Sequence, residues 1–317
     1  MSVELNTAAI RVRVPATSAN LGPGYDCAGL ALDLFDELTV VATSGGLEID
    51  VVGEGAGDVP RDETHLVVSS LIAGLAAMGA SATGLKLSCI NRIPHGRGLG
   101  SSSAAIVGGL ALARGLVPEE VRMSDTALLE LATDIEGHPD NVAPALLGGF
   151  TLAWTEVVDG SATTVGRAVC LAVDERIVPV VAIPSSQLAT ARARELLPKS
   201  VPLGDAAFVA GRAALLVQAM THRPDLLMQA TEDRLHQDYR RFAYPDSYAL
   251  MTALRDQGMP AAISGAGPSV LALTQGDTGA DAVEAQVVSS GGSFAVQTLR
   301  VSPLGAHFAG IGDEAIT

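Results

Sequence analysis

The chain has 317 residues, 48% hydrophobic and 17% charged, which is enough apolar mass for one large or two ordinary domains and excludes global disorder. Its formal net charge of −15 excludes nucleic acid and an anionic membrane surface as partners, so any phosphate it binds must be met locally. Cys27, Cys89 and Cys170 lie far apart with no C-x-x-C, which points away from a zinc site or a disulfide framework and toward a cytoplasmic protein.

Met1 to Asn6 shows no basic region followed by an apolar core, so no signal peptide is expected. No apolar run approaches the roughly 18 residues of a membrane helix. In chain order, Ile10 to Val14 alternates and predicts a strand, followed by a Gly/Pro-rich loop from Pro15 to Asp26. Leu38 to Ala42 and Leu47 to Val52 predict short strands joined as a hairpin by Ser44-Gly45-Gly46. Leu66 to Met78 has helical periodicity and stops at Gly79, and Leu85 to Ile90 alternates as a strand. An alanine-rich helix runs from Ala104 to Leu116. A second runs from Ser124, its N-cap, to Glu136, where Gly137 and Pro139 end it. Phe150 to Trp154, Arg167 to Val173 and Ile177 to Ile183 predict strands. Helices over 189–197, 204–221 and 246–257, a strand at Val270 to Thr274, a helix over 280–289 and a strand from Phe294 to Val301 follow. The mixture of hairpins and crossover helices reads as α+β, with the weakest composition break near Asp159 to Arg167 as the domain division.

The most informative stretch is Ile93-Pro94-His95-Gly96-Arg97-Gly98-Leu99-Gly100-Ser101-Ser102-Ser103, which runs straight into the alanine-rich helix. Glycines allow positive φ and close approach of a ligand. A helix opening directly after them offers unpaired N–H groups and the positive end of its dipole. Together these make an anion site, most often for phosphate. The serine hydroxyls can cap the helix or touch a phosphate or its metal. Read alone, the same residues are equally a Gly-rich turn with a serine N-cap. The loop is not a P-loop, which needs a lysine, because the chain's lysines are Lys86 and Lys199 alone. Nor is it a dinucleotide fingerprint: the spacing is G-x-G-x-G, and Glu119 and Glu120 follow Pro118 in a loop rather than ending a second strand.

Four further loops carry chemistry-bearing residues. Asn20 and Asp26 sit on the first Gly/Pro-rich loop, as ligands or as ordinary Asx-turn residues. Glu136, at a helix end, suits a divalent cation or is a solvated acid, and His138 reads as a surface side chain rather than a base. Thr190 and Arg194 share one helix face, where Arg194 can clamp a carboxylate bidentately or pair with Glu195 or another acid. Arg240 and Arg241 carry the same alternatives. Ser264-Gly265-Ala266-Gly267-Pro268-Ser269 is a second glycine turn, open to a ligand or simply tight.

Jointly and in this order, Pro15 to Asp26, Ile93 to Ala105, Glu136-Gly-His-Pro-Asp-Asn-Val-Ala-Pro144 and Ile263 to Ser269 resemble the GHMP small-molecule kinases, and within them the branch that acts on homoserine. The resemblance implies an S5-like N-terminal α/β domain over 8–165 and a ferredoxin-like C-terminal domain over 166–304. It implies ATP and Mg²⁺ as cofactors, L-homoserine as the small-molecule substrate, and a homodimer. Pro94, His95, Gly96, Arg97, Gly98, Leu99, Gly100, Ser101, Ser102 and Ser103 are expected to wrap the ATP phosphates. Ser102 and Glu136 are expected to hold Mg²⁺, with Ser101 and Ser103 as adjacent alternatives to Ser102. Asn20, Asp26, Asn141, Thr190, Arg194, Arg240 and Gly265 are expected around the amino acid, with Arg241 as the alternative to Arg240. Asn141 joins Glu136 and Ser102 in the catalytic set. Other branches have an aspartate base where Asn141 stands, so the resemblance implies transfer without a protein base. Two positions depart from the family pattern: Tyr25 stands where phenylalanine is usual, and Thr64-His65-Leu66 where Asn-Leu is common near the adenine pocket.

Overall fold

A computed structural model describes residues 3–158, 164–276 and 278–310. Ile10–Asn20 (β1) and Gly24–Thr43 (β2) form one long antiparallel hairpin. The expected loop from Pro15 to Asp26 is therefore mostly strand, with the reversal confined to Leu21-Gly22-Pro23. Period-two patterning fails here because the backbone is buried on both faces from Val14 to Gly24, so no polar face marks it as a strand. Register shifts after Pro15 and after Ala19 accommodate the irregularity.

Gly46–Gly53 (β3) does not fold back on β2. Leu66–Ala77 (α1) carries the chain across to Gly84–Asn91 (β4), which inserts between the two, parallel to β3 and antiparallel to β2. The expected hairpin at Ser44 to Gly46 is thus a corner, and α1 supplies the crossover that parallel strands require. Ser101–Leu116 (α2), Asp125–Glu136 (α3) and Pro139–Leu147 (α4) follow. Sequence patterning gives no sign of α4, because Gly137 and Pro139 read only as a stop. Gly137, at φ +88°, does close α3 through its amide to Thr133 O at 2.8 Å. Pro139 then opens α4 at a position whose missing N–H costs nothing.

The chain continues through Phe150–Val157 (β5), Thr164–Leu171 (β6), Ile177–Pro184 (β7), Thr190–Glu195 (α5) and Leu203–Thr221 (α6). Leu227–Ala230 (α7), Gln237–Arg240 (α8), Pro245–Asp256 (α9), Ala261–Ile263 (β8) and Val270–Gln275 (β9) come next. Thr278–Ser290 (α10), Phe294–Thr298 (β10) and His307–Phe308 (β11) close it. Among the described residues the strands make two sheets. The first runs β11-β1-β2-β4-β3 with β5 and β6 branching from β2, and the second is an antiparallel β10-β7-β9-β8. The composition break begins at 159–163, outside the described residues. Thr164–Leu171 straddles the expected division at 165/166 and pairs wholly with β5, and the second sheet begins at Ile177.

Val12, Leu38, Leu87, Ile106, Leu110 and Phe150 pack between the first sheet and its helices. Leu250, Leu254 and Val283 of α9 and α10 cover the second sheet at Val180 and Ala272. By length and composition α6 is apolar enough to cross a membrane, against the expectation that no run approaches that length. Val209, Leu216, Ala219 and Met220 seat it on the protein, and its Asp205 and Arg212 pair with Arg234 and Glu232. The two sheets are stitched together at the β1–β2 hairpin. Ser18 Oγ and Ser264 Oγ share a hydrogen bond at 2.8 Å, and Gly265 N donates to Ala19 O at 3.0 Å.

Leu110 is fully buried in α2 and lies over Gly74 of α1. Leu110→Ala is expected to lower the unfolding free energy by about 2–5 kcal/mol, read as a shifted urea midpoint with an unchanged slope.

Candidate functional site

Gly96, Gly98 and Gly100 adopt φ of +66°, +74° and +71°. A Cβ on Gly98 would sit 2.2 Å from Ser264 O, and one on Gly100 1.9 Å from Thr17 Oγ1. The loop's four carbonyls are engaged by three separate segments. Leu188 N donates to Gly96 O at 2.8 Å and Ser269 N to Arg97 O at 3.3 Å. Ser264 Oγ donates to Gly98 O at 2.6 Å and Thr17 N to Leu99 O at 3.0 Å. In a planar trans peptide the N–H points opposite to the C=O, so each following amide faces away from the group holding its carbonyl. Among the described residues nothing accepts from the amides of residues 97–103, the last three of which are orphan donors of α2.

Glu136 ends α3 opposite that helix start. Ser102 Oγ donates to both of its carboxylate oxygens at 2.7 Å, and Ser103 Oγ to Oε1 at 2.8 Å. The C-terminal dipole of α3 disfavours an acid there, and the positive end of α2 offsets it. A serine hydroxyl beside a carboxylate is a hard-oxygen donor pair, which fits Mg²⁺ completed by phosphate oxygens and water. Among the described residues no group of three or more His, Cys, Asp or Glu side chains could cage a metal. Ser103 is fully buried, whereas Ser101 and Ser102 face open space.

A cavity of about 140 Å³ adjoins this pair, walled by both domains. Asn20 and Asp26 hold positive φ of +70° and +57° in its wall. The Asn20 amide is fixed by one bond at each end: its Nδ2 donates to Gly265 O at 2.9 Å, and its Oδ1 accepts from Asp26 N at 3.0 Å. Arg194 grips Asp26 bidentately at 2.7 and 3.0 Å and donates to the Tyr25 hydroxyl at 3.0 Å. Glu195 is taken instead by Arg192, at 2.8 Å. Arg240 is buried, with Nε on Ala193 O at 3.0 Å and Nη1 3.4 Å from His236 Nδ1. Arg241 is exposed and turns to Asp238 O, so Arg240 is the arginine at the cavity. Burial holds the His236 imidazole below its ordinary pKa. Neutral, it donates from Nε2 to Gly22 O at 2.7 Å and offers Nδ1 to Arg240. Thr17 Oγ1 donates to Asn141 Oδ1 at 2.8 Å.

His138 also lines this cavity, contrary to its expected surface position, with Nδ1 2.6 Å from buried Asp140. Burial lowers the pKa of the imidazole, but the hydrogen bond and charge of Asp140 outweigh it, and the value is raised.

A second cavity, of about 250 Å³, lies on the other side of the first turn of α2. Asp36, Thr64, His65, Asn91 and His95 line it, and Ser101 and Ser102 belong to both walls. Burial pushes the Asp36 carboxyl up to about 6, against the amides of Arg92 and Ile93 that donate to it. Burial lowers the pKa of both His65 and His95.

Of the residues singled out in the sequence, Asn20, Asp26, Gly96, Gly98, Gly100, Ser101, Ser102, Glu136, Asn141, Thr190, Arg194, Arg240 and Gly265 share the first cavity. His95 lies in the second. Pro94, Arg97, Leu99 and Ser103 stand behind both. Leu99 is core, and Arg97 spends its guanidinium on Pro184 O and Ser185 O. Sequence reasoning passed over Thr17, Asp140 and His236. The first two lie inside motifs it quoted. His236 precedes Arg240 by four residues, a helical spacing that could have flagged the pair.

Residues 65–149 match the family described as GHMP kinases N terminal domain, and residues 206–293 match GHMP kinases C terminal. The homoserine kinase of Streptomyces coelicolor is 58% identical over 279 residues, 88% of each chain. That of Leifsonia xyli is 46% identical over 319 residues, covering 100% of this chain and 97% of its own. The crystal structure of homoserine kinase from Cytophaga hutchinsonii superposes with a TM-score of 0.81 at 27% identity, over 95% of this chain and 97% of that one.

The raised pKa of His138 has a defined sign. The stabilisation from its pairing with Asp140 is present below the ordinary imidazole value and is lost as pH rises through the folded value. In Asp140→Asn, burial and the Arg194 charge, which both lower the value, outweigh the Glu136 charge, so the His138 pKa should drop from above 6.5 to below it in an NMR titration.

Proposed function

The chain belongs to the GHMP kinase family, and from that premise we propose that it transfers the γ-phosphoryl group of ATP to the side-chain hydroxyl of L-homoserine. The product is O-phospho-L-homoserine, an intermediate of threonine biosynthesis. One observation carries the reading: Ser101 and Ser102 belong to the walls of two cavities at once. A nucleotide in the larger cavity and an amino acid in the smaller one would meet at the start of α2. The free amides of the glycine loop and helix start suit the phosphates lying across that boundary.

Phosphoryl transfer asks mainly for positioning and charge stabilisation. The loop amides hold the phosphate oxygens, and the α2 dipole opposes their charge. Ser102 and Glu136 would hold Mg²⁺, which when bound neutralises charge on the phosphate oxygens. Arg194 and Arg240 offer the amino acid's carboxylate two cations, and Asp26 offers its ammonium an anion. Asn141, its Oδ1 fixed by Thr17 and its Nδ2 donating to Asp140 Oδ1 at 3.4 Å, has a second amide hydrogen with which to hold the hydroxyl. An amide takes no proton at neutral pH, so direct transfer without a protein base is the mechanism that fits.

ADP release should be rapid with L-homoserine and negligible with mevalonate, galactose and L-serine in a coupled assay. Absence of turnover on homoserine alone rejects the proposal. Glu136→Gln should lower kcat roughly 10³-fold or more while leaving the homoserine KM little changed.

A further inference from the structure

Tyr25 departs from the usual phenylalanine, and its hydroxyl is placed where only a hydroxyl has a use. The ring is wedged between two cations, with the Arg194 and Arg240 guanidinium carbons 5.8 and 5.5 Å from its centroid. The His236 ring packs against it at 5.3 Å. A phenylalanine would keep all of that stacking. What tyrosine adds is an oxygen that accepts from Arg194 Nη1 at 3.0 Å. Its hydrogen has no acceptor among the described residues, and the group lines the cavity. Burial and the neighbouring Asp26 charge push the phenol's pKa up, so the hydrogen stays in place at neutral pH.

We propose that the Tyr25 hydroxyl is a specificity-determining contact for the α-carboxylate of the acceptor. This rests on the reading above that an amino acid occupies the smaller cavity. Without a ligand, Arg194 satisfies Asp26 through both terminal nitrogens. An amino acid brings one ammonium and one carboxylate, so it can exchange that internal pair for two new ones: ammonium with Asp26, and carboxylate with Arg194. During the exchange Arg194 loses the acid that orients it. The Tyr25 oxygen retains one of its N–H groups, and the phenolic hydrogen is free for the arriving carboxylate. The contact therefore acts on one substrate group and on no other.

The test compares wild type and Tyr25→Phe on L-homoserine and on L-2-aminobutane-1,4-diol, in which the carboxylate is replaced by a neutral carbinol. The diol is read as kcat/KM, or as a competitive Ki against homoserine where it is not turned over. Tyr25→Phe should raise the homoserine KM about tenfold with kcat within about twofold, the loss expected for a hydrogen bond to a charged group. Its effect on the diol should stay within about twofold. An unchanged homoserine KM overturns the proposal, and so does an equal loss on both ligands, which marks the hydroxyl as merely structural. Failure of the wild type to phosphorylate homoserine is a separate outcome, and it removes the functional reading on which the proposal stands.

Discussion

The site depends on a constraint that involves no side-chain chemistry. Successive carbonyls from Gly96 to Leu99 are drawn into bonds with Leu188, Ser269, Ser264 and Thr17, segments that belong to both sheets' domains. Because each peptide is planar, anchoring a carbonyl orients the following amide away from its anchor. Alternate left-handed glycines make this geometry possible, and the close approaches of Gly98 and Gly100 leave no room for a side chain. The loop is thus a set of donors prepared before any ligand arrives. Their desolvation and ordering are already met by folding, which is the sense in which a binding site is preorganised.

That arrangement also resolves an electrostatic difficulty. A chain of net charge −15 repels phosphate at long range, and its two lysines lie elsewhere, Lys86 being paired with Glu48 at 3.0 Å. Main-chain dipoles supply positive potential without adding a mobile cation. The arginines are reserved for the other end of the site, where Arg194 is held by Asp26 and Arg240 is buried against neutral His236. Neither is a free surface charge. Each is fixed by a partner that a small zwitterion could replace or share, which favours an α-amino acid over an uncharged alcohol of similar size.

What the sequence made legible was local and what it concealed was tertiary. The glycine–serine run, Glu136, Asn141 and the second glycine turn carry their chemistry in adjacent residues, and the structure brings them to one place. The β1–β2 hairpin was concealed because burial on both faces erases the alternation that marks a strand. The insertion of β4 between β2 and β3 was concealed because a Ser-Gly-Gly corner looks like a hairpin turn whichever way the chain leaves it. α4 hid behind a stop signal that is also a start signal. Among site residues, Arg194 read as a substrate clamp or as the partner of Glu195 or another acid, and that acid stayed unnamed because Asp26 is 168 residues away. His236 drew no notice although its spacing from Arg240 is helical, because the carbonyl that fixes its tautomer, Gly22 O, is 214 residues away. Choosing Arg240 over Arg241 likewise needed the fold, since the two differ only in which side of a short helix faces the cavity.

The fate of the acceptor's proton follows from the same geometry. Asn141 has its carbonyl oxygen committed to Thr17, and its amide nitrogen is no base. His138 is the titratable group in the wall that invites the role instead. Its Nδ1 is held by Asp140, however, and its raised pKa favours the charged form. In its charged form the imidazole takes no proton, and beside a phosphate it is a stabilising charge. On the reading proposed above, an amide and a charged imidazole suit the electrostatics of transfer rather than deprotonation. A loose transition state, in which the hydroxyl need not ionise before attack, is the one this wall can serve.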